Sequence, residues 1–272
     1  MCILLAVFVV STLQALRQWL DNTEGETAYG TAVEIAMNTP KETLPEQIPP
    51  EVTEPAEPAE AAAEPVTYWV QAPVEGDAVV KEMAGINLAA LQEENEDVIG
   101  WIRIPGTKVD YPIMQGEDND YYLNHTWDKQ PNSVGSIFLE HLNSPNMTDY
   151  NTIIYGHNMR NNSMFGELDN YALEEFWQEH PYVYVATADG IFRYEVFAFC
   201  QAKVDSLTYG INLTRDDTKQ EFLNLSLETA RYDTGIVPEL TDRILTLSTC
   251  SGADYSNRYV VQARLPLVEV TK

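Results

Sequence analysis

The sequence predicts a mostly β fold, a largely antiparallel β-barrel with helical insertions. Two observations carry that prediction. Short apolar runs recur along the last two hundred or so residues with turn signals between them, and only a few stretches show helical spacing. One run pair, Val183–Ala188 and Ile191–Cys200, brackets Asp189-Gly190, a strong short-range hairpin signal.

In chain order, Cys2 to Leu16 is almost wholly apolar, with Arg17 and Trp19 following. Extended to Leu20, residues 1–20 reach the length of a minimal membrane span, with Arg17 snorkelling to an interface. A cleaved signal peptide is the rival, but neither a basic n-region nor a clear small-residue cleavage site is present. No cation precedes Cys2 to set orientation, so the natural start is expected upstream. The expectation is a single-pass anchor with the bulk of the chain outside the cell. Residues 21–78 read as an acidic, Pro-rich linker. Seven of the 15 prolines fall between Asp21 and Val66, where Lys41 stands against a series of glutamates. Such a stretch buries too little apolar surface to offset its ordering entropy and reads as an extended stalk.

Residues 79–272 carry globular patterning. Asn87 is placed to cap a helix with Leu88 and Leu91 on one face, ending near Gly100. Trp101–Ile104 is a short strand before the Pro105-Gly106 turn, and Val109–Met114 is a second. Asp118–Leu123 is a polar turn with aromatics. Gly135–Glu140 and Asn151–Tyr155 extend the strand series. Asn170 precedes a helix with Leu173, Phe176 and Trp177 at helical spacing. Thr218 and Glu221 form a capping box ahead of Phe222 and Leu225. Arg243–Cys250 and Tyr259–Leu265 make a closing hairpin around Ser251–Asn257, which sets Cys250 opposite Arg258.

A net charge of −26 argues against nucleic acid as a partner, because phosphate binding needs clustered Lys and Arg. Of the three cysteines, Cys2 lies in the apolar N-terminal run and Cys200 inside a strand pattern, leaving Cys250 as a free thiol at a strand's end. A lone cysteine is more often a small buried hydrophobe. Alternation along the strand puts Thr246, Ser248 and Cys250 on one face, suited to lining a peptide groove, and Leu245 and Leu247 on the other. That polar face also fits plain solvent exposure. Among the four histidines, His157 directly follows a strand and a glycine. His125 and His141 sit in polar loops, and His180 terminates a helix before Pro181. No His/Cys set has the spacing of a metal site. Arg258, permanently protonated, is either a donor to a developing oxyanion or a solvated edge charge.

Thr246-Leu247-Ser248-Thr249-Cys250, followed by Arg258, resembles the TLxTC signature of sortases. The segments Trp101–Thr107, Asp110-Tyr111-Pro112, Asp118-Asn119, Tyr121-Tyr122-Leu123, Gly135–Phe138 and Tyr155–Met159 resemble class B of that family, over about Asn87 to Leu265. The resemblance implies a sortase-type closed β-barrel with an N-terminal helix and a cysteine transpeptidase of Gram-positive cell surfaces. Its implied nucleophile is Cys250, its oxyanion donor Arg258 and its proton carrier His157. Asn119, Leu123, Tyr155 and Ser248 would line the peptide groove. The implied partners are surface proteins bearing a C-terminal sorting motif, cleaved after Thr, and an amine from a peptidoglycan precursor or a pilin. No metal or organic cofactor is required. Members serve haem uptake, other surface anchoring or pilus building. A thiol peptidase that passes the acyl group to water, or a non-catalytic surface module, are the alternatives.

Overall fold

A computed structural model describes residues 2–38, 67–71, 76–250 and 256–271 of the chain. Most of the expected linker, residues 39–66 and 72–75, lies outside the described residues. So do the hairpin loop 251–255 and the side chain of Cys250.

Eight strands close a barrel in the order β2 (Val98–Arg103), β3 (Asp110–Met114), β4 (Ile137–Leu139), β5 (Asn151–Tyr155), β8 (Arg243–Cys250), β9 (Asn257–Leu265), β7 (Gly190–Lys203) and β6 (Tyr182–Thr187). A separate ribbon pairs β1 (Thr67–Gln71) with β10 (Leu267–Thr271). The expected closed barrel is therefore present, and so is the β6–β7 hairpin at Asp189-Gly190. Two of its pairings, β3–β4 and β5–β8, are parallel. These need long crossovers rather than tight turns. The β5–β8 crossover carries α4 (Glu174–Glu179), β6, β7 and α5 (Asp216–Thr229).

The parallel pairing decides where the chemistry lies. Strands β5 and β8 run side by side with Tyr155 beside Ser248, so their C-terminal ends reach the same rim. Strand β9 runs antiparallel to β8 and starts at that rim, with Arg258 opposite Cys250. Leu245 and Leu247 point into the barrel core with Val261 and Ala263, as alternation requires. On the other face Ile244 packs with Phe222 and Phe197 under α5. Thr246 is also buried there, donating to Asn151 Oδ1 at 2.7 Å. Only the upper end of that face opens to a groove.

The helices differ in detail from the sequence pattern. Helix α3 (Leu88–Glu94) is capped by Asn87 as expected, but stops before Asn95. The Asn95 amide is drawn into hydrogen bonds with Tyr122 Oη and Trp127 O, and β2 begins at Val98. Helix α5 starts two residues before Thr218, whose hydroxyl bonds back to Arg215 O instead of capping. Asn170 sits inside a 3-10 turn, Leu168–Ala172, rather than at the cap of α4.

The N-terminus departs furthest from expectation. Helix α1 spans Cys2–Asn38, so residues 21–38 are helix, not extended stalk. Tyr29, Ala32 and Ala36 lie on one face of it and are buried in the main core. Gly25 lets the helix approach Val134, where a Cβ would come within 3.0 Å of Cγ2. Trp127 Nε1 donates to Ala28 O at 2.8 Å, and Tyr29 Oη donates to Gly135 O at 2.6 Å. The single-pass anchor expected at residues 1–20, and the membrane localisation drawn from it, are corrected. Among the described residues no helix is long and apolar enough to cross a membrane. Ser11, Thr12, Gln14, Arg17 and Gln18 interrupt the apolar run, and the helix continues past it onto the barrel.

Candidate active site

The shared rim of β5, β8 and β9 borders a cleft of about 380 Å³. His157, Arg258, Asn119, Leu123, Tyr155 and Ser248 all line it. The structure thus brings together every singled-out residue whose side chain is described. The seventh, Cys250, ends β8 with its backbone paired to Arg258. Arg258, its cross-strand partner, turns its own side chain into the cleft.

Each wall has a local cause. Asp118 Oδ1 accepts from the N–H groups of Asp120 and Tyr121, both at 2.9 Å, and so sets up the 3-10 turn Tyr121–Leu123. Those two N–H groups hold the Asp118 carboxyl below the usual carboxylate value. The turn aims the Leu123 carbonyl at His157, whose Nε2 lies 2.6 Å from it. Gly135 packs against the same spot at φ 63°, where a Cβ would meet Leu123 O at 2.7 Å and His157 Cδ2 at 3.0 Å. Gly156, before the histidine, leaves similar room for Ile137 and Phe165.

The other three histidines are occupied elsewhere. His125 stacks on Tyr121 at 4.0 Å and bonds Tyr121 O. His141 pairs with Glu140. His180 bonds Pro105 O and fills the space beside Gly106. Cys200 is 3% exposed on β7, and burial raises its thiol pKa, which keeps it in the unreactive protonated form.

Glu140 and Tyr209 are cleft residues that sequence patterning missed. Glu140 closes an apolar run as its lone charged residue, which was the available signal. Tyr209 arrives through the crossover after β7, and its hydroxyl lies 2.8 Å from Ser248 Oγ. Its ring stacks 6.5 Å from that of Tyr155. Burial, and next the Glu140 carboxylate, push the Tyr155 phenol far above its ordinary value, so it stays a neutral hydrogen-bond donor.

A thiol-bearing strand end, an imidazole and a guanidinium around a cleft lined by aromatic and polar side chains form a setting for acyl transfer. The comparisons agree. A Sortase domain is matched over residues 102–266. Sortase B of Listeria monocytogenes is 37% identical over 182 residues, covering 65% of this chain and 73% of that protein. The structure of Clostridium perfringens sortase B superposes with a TM-score of 0.62 at 32% identity, covering 68% of this chain and 100% of that one. The Staphylococcus aureus sortase B–substrate complex also gives 0.62 at 29% identity, covering 67% of this chain and 85% of that one. The chain belongs to the sortase family, as a cysteine transpeptidase of class B.

Proposed function

We propose that Cys250 is the nucleophile, His157 the proton carrier and Arg258 the oxyanion donor of a transpeptidase that cleaves a C-terminal sorting motif after Thr. The observation that carries this reading is the register of Cys250 opposite Arg258 at the rim where His157 also lies. The Cys250 thiolate attacks the Thr carbonyl carbon, and the carbonyl π electrons move onto oxygen. Arg258, with a backbone N–H near Cys250, donates to that oxyanion. Collapse expels the amine, which takes a proton from His157, and leaves a thioester on Cys250. An incoming amine then attacks the thioester, gives its proton to His157 and releases the thiolate. Asn119, Leu123, Tyr155 and Ser248 hold the extended peptide along the cleft. The acceptor is an amine of a peptidoglycan precursor or of a pilin subunit.

Incubating the protein with a panel of Thr-Gly and Thr-Asn sorting peptides, with and without an amine, tests the reading. Amine-dependent ligation through a Cys250 acyl adduct is expected. Cleavage at the same rate to a free acid, indifferent to added amine, would identify a peptidase instead. No adduct on any peptide would overturn the reading altogether.

A further inference from the structure

Glu140 stands apart in the cleft wall. It is 5% exposed, and its carboxylate is surrounded by donors. Oε2 accepts from Asn119 Nδ2 at 2.7 Å and from the Tyr155 hydroxyl at 2.9 Å. Oε1 accepts from His141 Nδ1 at 2.8 Å and from Leu142 N at 3.3 Å. A carboxylate has about four acceptor sites, so this one is fully used and offers nothing to a ligand. Its backbone is held too. Its N–H donates to Ile153 O, and its carbonyl accepts from Asn143 N and Gln115 Nε2.

Asn119 is the residue this arrangement controls. Its Oδ1 accepts from His141 N at 2.9 Å, while its Nδ2 gives one hydrogen to Glu140. Both ends of the amide are therefore assigned, and flipping it would set its oxygen against the carboxylate and its NH2 against a backbone N–H. One amide hydrogen remains, on a half-buried residue that lines the cleft. A hydrogen-bond donor locked in that place recognises an acceptor, and on an extended peptide the recurring acceptor is the backbone carbonyl. We propose that Glu140 is the positioning residue of the groove, its carboxylate locking Asn119 so that one amide N–H meets a backbone carbonyl of the bound peptide.

The same carboxylate orients the Tyr155 hydroxyl away from the ligand, so Tyr155 presents its ring to the groove. Recognition at this end of the cleft thus depends on main-chain geometry and aromatic contact more than on a particular side chain. The inference rests on the reading of the cleft as a peptide groove.

The test uses the full chain, a Thr-Gly or Thr-Asn peptide that the wild type turns over, and Glu140→Gln. The amide is nearly isosteric but sets an NH2 group where an acceptor is needed. KM for the peptide is expected to rise on the order of tenfold, the effect of losing one well-aligned hydrogen bond. The kcat value and the rate of Cys250 alkylation by iodoacetamide are expected to stay within about twofold. In the Glu140→Gln background, Asn119→Ala is expected to add little, because the two act as one unit. An unchanged KM, or effects of the two substitutions that add in full, would overturn the proposal. A second variant leaves the buried carboxylate in place: Asn119→Asp removes the donor, and an unaltered KM there would overturn the proposal equally. A wild type silent toward every peptide would instead bring down the functional reading itself, and this inference with it.

Discussion

The imidazole of His157 is tethered to the Leu123 carbonyl, Nε2 to oxygen at 2.6 Å. A carbonyl only accepts, so Nε2 carries the hydrogen and the neutral ring keeps its lone pair on Nδ1. Under the role proposed for His157, proton exchange during acyl transfer runs through Nδ1. The loop that bears Leu123 is in turn pinned by α1 through Tyr29, Gly135 and Ser136, which links the N-terminal helix to the orientation of the His157 ring.

Gly135→Ala is expected to disturb that tether. The position has φ 63°, and the new Cβ would lie 2.7 Å from Leu123 O and 2.8 Å from Tyr122 O. Displacing the carbonyl frees the ring, and kcat/KM should drop by roughly tenfold to a hundredfold. The measurement is steady-state peptide turnover beside a thermal melt. Unaltered turnover would mean that the Leu123 carbonyl does not orient the ring.

The cysteines should separate cleanly in the native protein. Iodoacetamide is expected to label Cys250 and spare Cys200, whose burial raises its thiol pKa. Cys250→Ala should abolish the acyl adduct seen by mass spectrometry, and Cys200→Ala should retain it. An adduct surviving in Cys250→Ala would disprove the assignment of the nucleophile.

In the proposed role the Arg258 donor acts on charge that develops in the transition state, so Arg258→Ala should lower kcat by about a hundredfold to a thousandfold with little change in KM. Arg258→Lys should recover only part of the loss, because an ammonium lacks the planar fork of donors. A rise in KM at constant kcat would assign Arg258 to ground-state binding.

Tyr29→Phe should cost about 1–2 kcal/mol of unfolding free energy, because the Gly135 carbonyl loses a buried partner. Urea unfolding measures it. A loss near zero would show that α1 contributes packing alone at this contact.

Asp77 caps α2 (Ala78–Met83), accepting from Val79 N at 2.9 Å and Val80 N at 3.3 Å. Burial by itself would raise its pKa. The Tyr184 hydroxyl, the Val80 and Val79 N–H groups and the Arg193 charge outweigh burial and hold it below the ordinary carboxylate value. Asp77→Ala should therefore cost about 1 kcal/mol at neutral pH. With the folded-state pKa lowered, that contribution is complete above the unfolded-state value and disappears as pH falls through the folded-state one. Unfolding midpoints of wild type and variant should converge in acid. A constant gap down to acid pH would contradict the cap.

Much of the barrel was legible because its signals are local. Asp189-Gly190 turns the chain wherever it sits, and the alternation in Arg243–Cys250 sends Leu245 and Leu247 inward whatever lies beyond them. The docked half of α1 was hidden by composition. Its buried residues are Tyr29, Ala32 and Ala36, small or amphipathic side chains set among Glu24, Glu26 and Glu34, so burial there reflects the surface it meets more than its own apolarity. Glu140 and Tyr209 were hidden for a related reason. A carboxylate is stable in the cleft wall only because Asn119, Tyr155, His141 and Leu142 converge on it from three chain segments.

The amino-acid order alone determined which functional groups this protein possesses: a thiol at a strand's end, an imidazole just past another strand, and a guanidinium at the start of the strand that follows the thiol. Tertiary structure decided that the chain positions bearing them share one rim. Parallel pairing of β5 with β8 brings two C-terminal strand ends to one rim, and no periodicity within either strand encodes its neighbour, because that choice is made by long crossovers and by the closure of the barrel.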